Sequence, residues 1–334
     1  MLEDVKTVIK NSASKIDHEW DSLSNSVYQN RDFLIHSEKH NPCKQRYYLG
    51  YEDDVFVAGA VVYSLKVNVL TFAKYCINLP MTVIGIPISV DAHGMVGNIV
   101  FFEELISDIL KKERGIILCL NYNTSLNIKN IVEMETLPTL IYDKYNHSWE
   151  NYLQSLRHNY RRRILNAEKK FSGIKHVESL CSQFTQEHYQ LYLNIINRTQ
   201  TKLETLSFDF FSKLSEEFHL HSFYKTNQLI TWHITTLDRE IYYFLFGGLK
   251  YDLRNKYDSY YNNLIQILKG GIKLNSTSIN LGQTAELSKK RLGAQLIEKK
   301  MFVFHRNILI RTLFRLSKKM LTYKMNLCEA NVFK

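Results

Sequence analysis

Cysteine is scarce and scattered in this chain: Cys43, Cys76, Cys119, Cys181 and Cys328 form no C-x-x-C pair and are odd in number. That spacing argues against a disulfide framework or a structural zinc site and fits a reducing compartment. Glycine and proline are few, 13 and 4 in 334 residues, against 21 Tyr and 18 Phe. Such a balance argues against low complexity and disorder. No apolar run reaches the roughly 20 unbroken residues that a membrane-spanning helix needs. The most apolar stretch, 69–90, is interrupted by Lys74, Asn78, Pro80, Gly85 and Pro87 and reads as buried strands. The opening residues, MLEDVKTVIKNSASK, lack the apolar core of a secretory leader, so a soluble cytoplasmic protein is expected. Walker loops, dinucleotide loops and nucleophile motifs are absent as well. His219 and His221 share one strand face but have no third partner at metal-ligand spacing, so no metal is expected.

What is present is length, apolar content and positive charge. The 334 residues predict two domains, and 45% hydrophobic content supplies a core for each. Lys and Arg number 43 against 33 Asp and Glu, a net charge of +10. That excess favours anionic partners, whether coenzyme phosphates, nucleic acid or a membrane surface.

The order of elements occurs twice. Residues 46–51 and 55–65 flank the acidic turn Glu52-Asp53-Asp54 as a hairpin, and more strand follows to Ile88. A helix over 98–112 buries Phe102, Leu105, Ile106 and Ile109, and 115–120 is a buried strand. About 165 residues further on, strands at 219–224, 229–237 and 241–249 precede a helix from Ser259 to about Leu274 and a strand at 278–282. Between the halves, Ser148 caps one amphipathic helix running to Phe171, with Trp149, Tyr152, Leu156, Ile164 and Ala167 on its apolar stripe. Arg161, Arg162 and Arg163 span most of one turn and read as a solvated face, a nucleic-acid surface or part of a channel. Two further helices are expected at 186–198 and 207–218. The tail from Asn307 is a basic amphipathic helix that packs on the second half or lies on an anionic membrane.

The run SWENYLQSLRHNYRRRILNAEKKF resembles the entry helix of the second half in Fem-type acyltransferases of the GNAT superfamily. The stretch from YYFLFGG to KKRLGA is similar to that family's core: strand ending in Gly, polar turn, helix, strand ending in Leu-Gly, then Lys-x-x-Leu-Gly-Ala. The resemblance covers about 148–305. It implies a mixed α/β fold of two tandem GNAT-like halves, each a largely antiparallel sheet flanked by helices. Limits of 1–145, 146–305 and a C-terminal helix over 306–334 follow. It further implies an N-acyltransferase that takes acetyl-CoA or acyl-CoA, or an acyl carrier protein, as donor. The acceptor would be an amine of an amino sugar, amino acid or cell-envelope precursor. Two departures are visible. Residues 252–259 contain no Gly where a GNAT pyrophosphate loop is rich in it. Residues 172–219 are also too short for the helical-hairpin arm of aminoacyl-tRNA users, which favours relatives that use acyl-CoA. A tRNA-dependent aminoacyltransferase and a catalytically silent GNAT scaffold stay open as alternatives.

Acyl transfer needs a proton acceptor for the amine, donors for the developing oxyanion, and a cradle for the donor's phosphates. By the resemblance, Gly247 and Gly248 supply the close backbone approach, or they relieve packing on a large aromatic ring. Ser259 opens a helix whose amides suit phosphate, with Arg254 and Lys256 just ahead and Asp258 as the competing cap. Asp252, Glu286 and His233 are candidate bases, Tyr257 a candidate acid to the thiolate, and Lys290 an anion ligand or a surface charge.

Overall fold

The computed structural model describes residues 5–73, 75–144, 148–199, 203–324 and 330–334. Strands β1 (Lys6–Lys10), β2 (Lys44–Glu52), β3 (Val55–Asn68), β4 (Asn78–Ile84), β5 (Met95–Gly97), β6 (Ile116–Tyr122) and β7 (Val132–Tyr142) come first. After them come β8 (Lys175–Leu180), β9 (His219–Lys225), β10 (Gln228–Asp238), β11 (Ile241–Leu249), β12 (Ser278–Asn280) and β13 (Gln295–Phe304). Two compact units result. One holds Met1–Leu137, Thr201–Ser207 and Glu298–Met325; the other holds Pro138–Gln200, Phe208–Ile297 and Asn326–Lys334. These limits interleave in sequence, unlike the consecutive 1–145, 146–305 and 306–334, because they fall inside β7 and inside β13.

In the first unit the strand order is β1-β2-β3-β4-β6-β13-β7, with β5 on β3. The β2–β3 turn places Asp53 and Asp54 at φ 48° and 62°, the left-handed pair of a tight hairpin turn that Asp tolerates. Strand β4 pairs in parallel with β6 from Met81↔Ile116 to Ile84↔Cys119, and helix Phe102–Lys112 connects them. Leu105, Ile106 and Ile109 of that helix are fully buried against Ala58, Ala60 and Val62 of β3. Gly59 is required where it stands: a Cβ there would lie 2.2 Å from the ring of the buried Trp20.

In the second unit the order is β7-β12-β11-β10-β9-β8. Strands β11 and β12 repeat the parallel pairing, and helix Ser259–Lys273 connects them. Its Leu264, Ile265, Ile267 and Leu268 pack with Tyr152, Leu156, Ile164 and Leu281. The repeated order read from the sequence is thus present in both units, down to the parallel pair around each connecting helix.

Three expected helices differ. The single helix over 148–171 is two, Trp149–Ser155 and His158–Lys170, because Leu156 is extended at φ −77° and ψ 145°. The C-terminal residues occupy that break: Arg157 N donates to Val332 O (2.9 Å), Lys334 N to Ser155 O (3.0 Å), and Leu156 bridges Phe333. Ser148 caps as expected, its Oγ accepting from Asn151 N at 3.1 Å. The helix expected over 207–218 is only Phe208–Ser212, with Phe210 and Phe211 fully buried. The tail helix is Ile308–Leu316, and its buried Phe314 joins Met301 and Val303 in the first unit's core, not the second's. No helix among the described residues is long and apolar enough to cross a membrane.

Candidate functional site

Strands β11 and β12 meet over three residues, Ile241↔Ser278 to Tyr243↔Asn280, and then separate. Beyond Asn280 the chain follows β7 instead: Leu281 N donates to Leu140 O (2.9 Å) and Leu140 N to Gly282 O (3.1 Å). From Phe244 onward β11 therefore has β10 as its sole strand neighbour among the described residues. Lys250 N donates to Ile230 O at 3.1 Å, opposite it in register. Alternation along an antiparallel ladder then turns the amides of Gly247 and Leu249 away from β10, toward the opening. The two strands thus part as a V, and the β11 wall of the gap has no strand partner on that side among the described residues.

Two short helical turns, Tyr251–Leu253 and Arg254–Tyr257, lead from β11 to the connecting helix at the mouth of this gap. Asp258 precedes that helix in the left-handed conformation (φ 47°, ψ 39°), and its side chain caps nothing. The first amides of a helix lack intrahelical partners and carry partial positive charge. Those of Ser259, Tyr260 and Tyr261 are thus spared a carboxylate cap. The opposite lip is the turn after Gly282, where Gly282, Thr284 and Ala285 all take positive φ, 69°, 62° and 53°. Left-handed backbone costs an ordinary residue about 1–2 kcal/mol, so this turn needs a fastening. The fastening is Lys289, whose buried Nζ donates to Gly282 O (3.2 Å) and Gln283 O (2.6 Å).

The residues singled out in the sequence separate into three groups. Arg254 and Glu286 come together at Tyr260: the guanidinium lies 5.7 Å from the ring centroid. Burial pushes the Tyr260 phenol up, Arg254 opposes that and Glu286 adds to it. Asp252 and Lys256 are exposed on the adjoining turns, and Lys290 is half-buried one residue after the lysine that fastens the lip. Gly247 lies on the β11 wall of the gap, and packing accounts for the side chains of the rest. Gly248 faces Trp232, where a Cβ would lie 2.0 Å from the indole nitrogen, so packing explains it. The bulge in β11 falls at Leu245, between the pairs Ile234↔Phe246 and Thr235↔Phe244, and not at the glycines. The Ser259 side chain is fully buried, so its hydroxyl is turned away from any phosphate. Tyr257 packs with Phe171, Phe223 and Ile230 as core.

His233 lies on β10, opposite Gly247 in register. Its ring stacks on His221 (4.7 Å), and its Nδ1–H donates to Asn263 Oδ1 at 2.7 Å. His221 shares hydrogen bonds with His176 (3.1 Å) and Thr235 (3.0 Å), on the floor of a cavity of about 170 Å³ whose rim carries Glu178 and Lys273. Burial lowers His233 to about 3 and His221 to about 2, with the neighbouring imidazoles and lysine helping, so both are neutral at pH 7. Glu178 lies 4.0 Å from His221 without forming an ion pair, since that imidazole carries no charge.

Tyr260 and Lys289 are not among the residues singled out in the sequence. Tyr260 was hidden by its neighbour Tyr261 and by the number of tyrosines. Lys289 was hidden because burial alone separates it from Lys290.

Among solved structures, FemX is similar with a TM-score of 0.53 at 13% identity, over 94% of this chain and 100% of that one. A tandem GNAT protein from the clavulanic acid biosynthesis pathway gives 0.49 at 8% identity, over 90% of this chain and 98% of that one. L-PGS from Bacillus licheniformis gives 0.48 at 12% identity, over 86% and 94%. No protein-family model matches the chain, and neither does any curated protein. The FemX likeness, with the repeated parallel strand pairs, shows the fold: mixed α/β, with the same order of elements in both units. At 13% identity it speaks for the fold alone.

Proposed function

We propose that this protein is an acyltransferase that moves an acyl group from a coenzyme A or carrier-protein thioester to an amine. The amine would belong to an amino sugar, an amino acid or a cell-envelope precursor. One observation carries the reading: β11 and β12 part after three paired residues, with an uncapped helix N-terminus at the mouth of the gap. The region 172–219 contains no helix longer than the 11 residues of Gln186–Ile196 among its described residues, which supports a coenzyme donor over tRNA.

In this reading the amides of Gly247 and Leu249 receive the thioester oxygen as it becomes negative. The amides of Ser259, Tyr260 and Tyr261, with Arg254 and Lys256, hold the donor's phosphates. The amine nitrogen attacks the carbonyl carbon, and Glu286 accepts its proton. The carbon–sulfur bond then breaks, and Tyr260, whose phenol burial pushes up while Arg254 makes it more acidic, passes its proton to the departing thiolate. Glu286 and Tyr260 thus lie on opposite sides of one proton balance.

The test is titration calorimetry with acetyl-CoA and longer acyl-CoAs, followed by thiol release with a panel of amines. Binding by the wild type is expected, with turnover reduced about 100-fold in Tyr260→Phe and Glu286→Gln. Absence of binding and of thiol release with every donor, including an acyl carrier protein, would leave a silent scaffold and end the proposal.

A further inference from the structure

The helix Ile308–Leu316 and the turn after it carry two apolar stripes where one suffices to fold. Ile310, Phe314 and Leu321 pack into the first unit's core. Leu309, Leu313, Leu316 and Met320 recur at four- and three-residue steps on the other side and are 75%, 62%, 79% and 47% exposed, with Ile308 at 65%. A monomeric protein in water rarely leaves so many large aliphatic side chains together on one helix. The cost of exposure calls for a partner.

Charge identifies its chemistry. From Lys299 to Cys328 there is no Asp or Glu, whereas Arg306, Arg311, Arg315, Lys318, Lys319 and Lys324 lie within it. Arg315, Lys318 and Lys319 are exposed beside the outer stripe. An aromatic edge adjoins the far end: Tyr323 packs edge-on against Phe72 (5.3 Å), in the loop that also presents Tyr75, 73% exposed, and Ile77, 49% exposed. Aliphatic side chains in a row, exposed cations beside them and a tyrosine at the margin match a helix lying in the plane of a bilayer interface. A second copy of this chain would bring the same cations into mutual repulsion, and a neutral protein groove would leave them unmatched.

We infer that this helix docks the protein on an anionic lipid surface, with Leu309, Leu313, Leu316 and Met320 inserted and the cations at the headgroups. The inference stands apart from the acyl-transfer reading, because it concerns the first unit and is read without any donor or acceptor.

The experiment is co-sedimentation of the full chain with vesicles of phosphatidylcholine, alone or mixed with phosphatidylglycerol. Partitioning onto the mixed vesicles is expected to exceed that onto the neutral ones by about tenfold or more and to fall with added salt. Leu313→Ser with Leu316→Ser is expected to lower it by at least about tenfold, and so is Arg315→Glu with Lys319→Glu. Both double variants change exposed side chains, so their urea midpoints should match the wild type. Failure to bind anionic vesicles, equal binding to both vesicle types, or a solution dimer that the leucine variant dissociates would each overturn the inference.

Discussion

Adjacent lysines with the same charge and nearly the same sequence context have unlike fates at the lip of the gap. Lys289 is buried and bonds two carbonyls, whereas Lys290 is half-buried one position on. Bonds from a charged donor are worth about 1.5–3 kcal/mol. Lys289→Met is therefore expected to lower unfolding free energy by about 2 kcal/mol, read by urea denaturation, against at most about 0.5 for Lys290→Met. Equal losses would show that burial does not distinguish the two. The histidines make a second residue-scale case. His93 and His188 are lowered to about 4, His233 to about 3 and His221 to about 2, all mainly by burial. Unfolded, each takes a proton near pH 6.5, so below that pH the unfolded chain binds protons the folded one refuses. Stability is full above about 6.5 and falls as the pH drops toward 4. A lower urea midpoint at pH 5 than at pH 7.5 is expected, with the gap narrowed in His188→Gln; a flat profile would contradict the burial of these rings.

Among the elements, the connecting helix over 259–273 was legible almost to the residue, because its apolar face recurs at helical spacing and Asp258 marks its start. The break at Leu156 was not legible, since the stripe from Trp149 to Phe171 runs through it in phase. What breaks the helix is a segment about 175 residues away: Val332 O accepts from Arg157 N, and the Phe333 ring fills the space at Gly293, where a Cβ would lie 2.3 Å from it. A chain ending at Asn331 loses the buried Val332 and the half-buried Phe333, which should cost the second unit about 2–4 kcal/mol. The check is the thermal midpoint of the truncated chain, and an unchanged value would mean the strand-like contact contributes nothing.

For the molecule as a whole, the parallel pair around each connecting helix gives both units the same plan, but the units do not divide at a linker. Strand β13 and the helix after it, late in the chain, supply Met301, Phe302, Val303 and Phe314 to the first unit's core. A fragment ending at residue 145 lacks all four. It is expected to be unfolded or aggregated by circular dichroism and proton NMR, and sharp dispersed resonances from it would contradict the interleaved limits.

Local pattern in the sequence determined the strand and helix types, the doubled order of elements, the Ser148 cap and the stretch that forms the candidate site, because periodicity, turn chemistry and capping act over a few residues. Tertiary structure alone decided that β12 ends after three residues and follows β7, that Lys289 is buried where Lys290 is not, that Tyr257 packs in the core, and that His233 belongs to a buried stack. Each of those outcomes depends on which distant segment arrives beside a residue and excludes water from it, and nothing within a few positions along the chain encodes that.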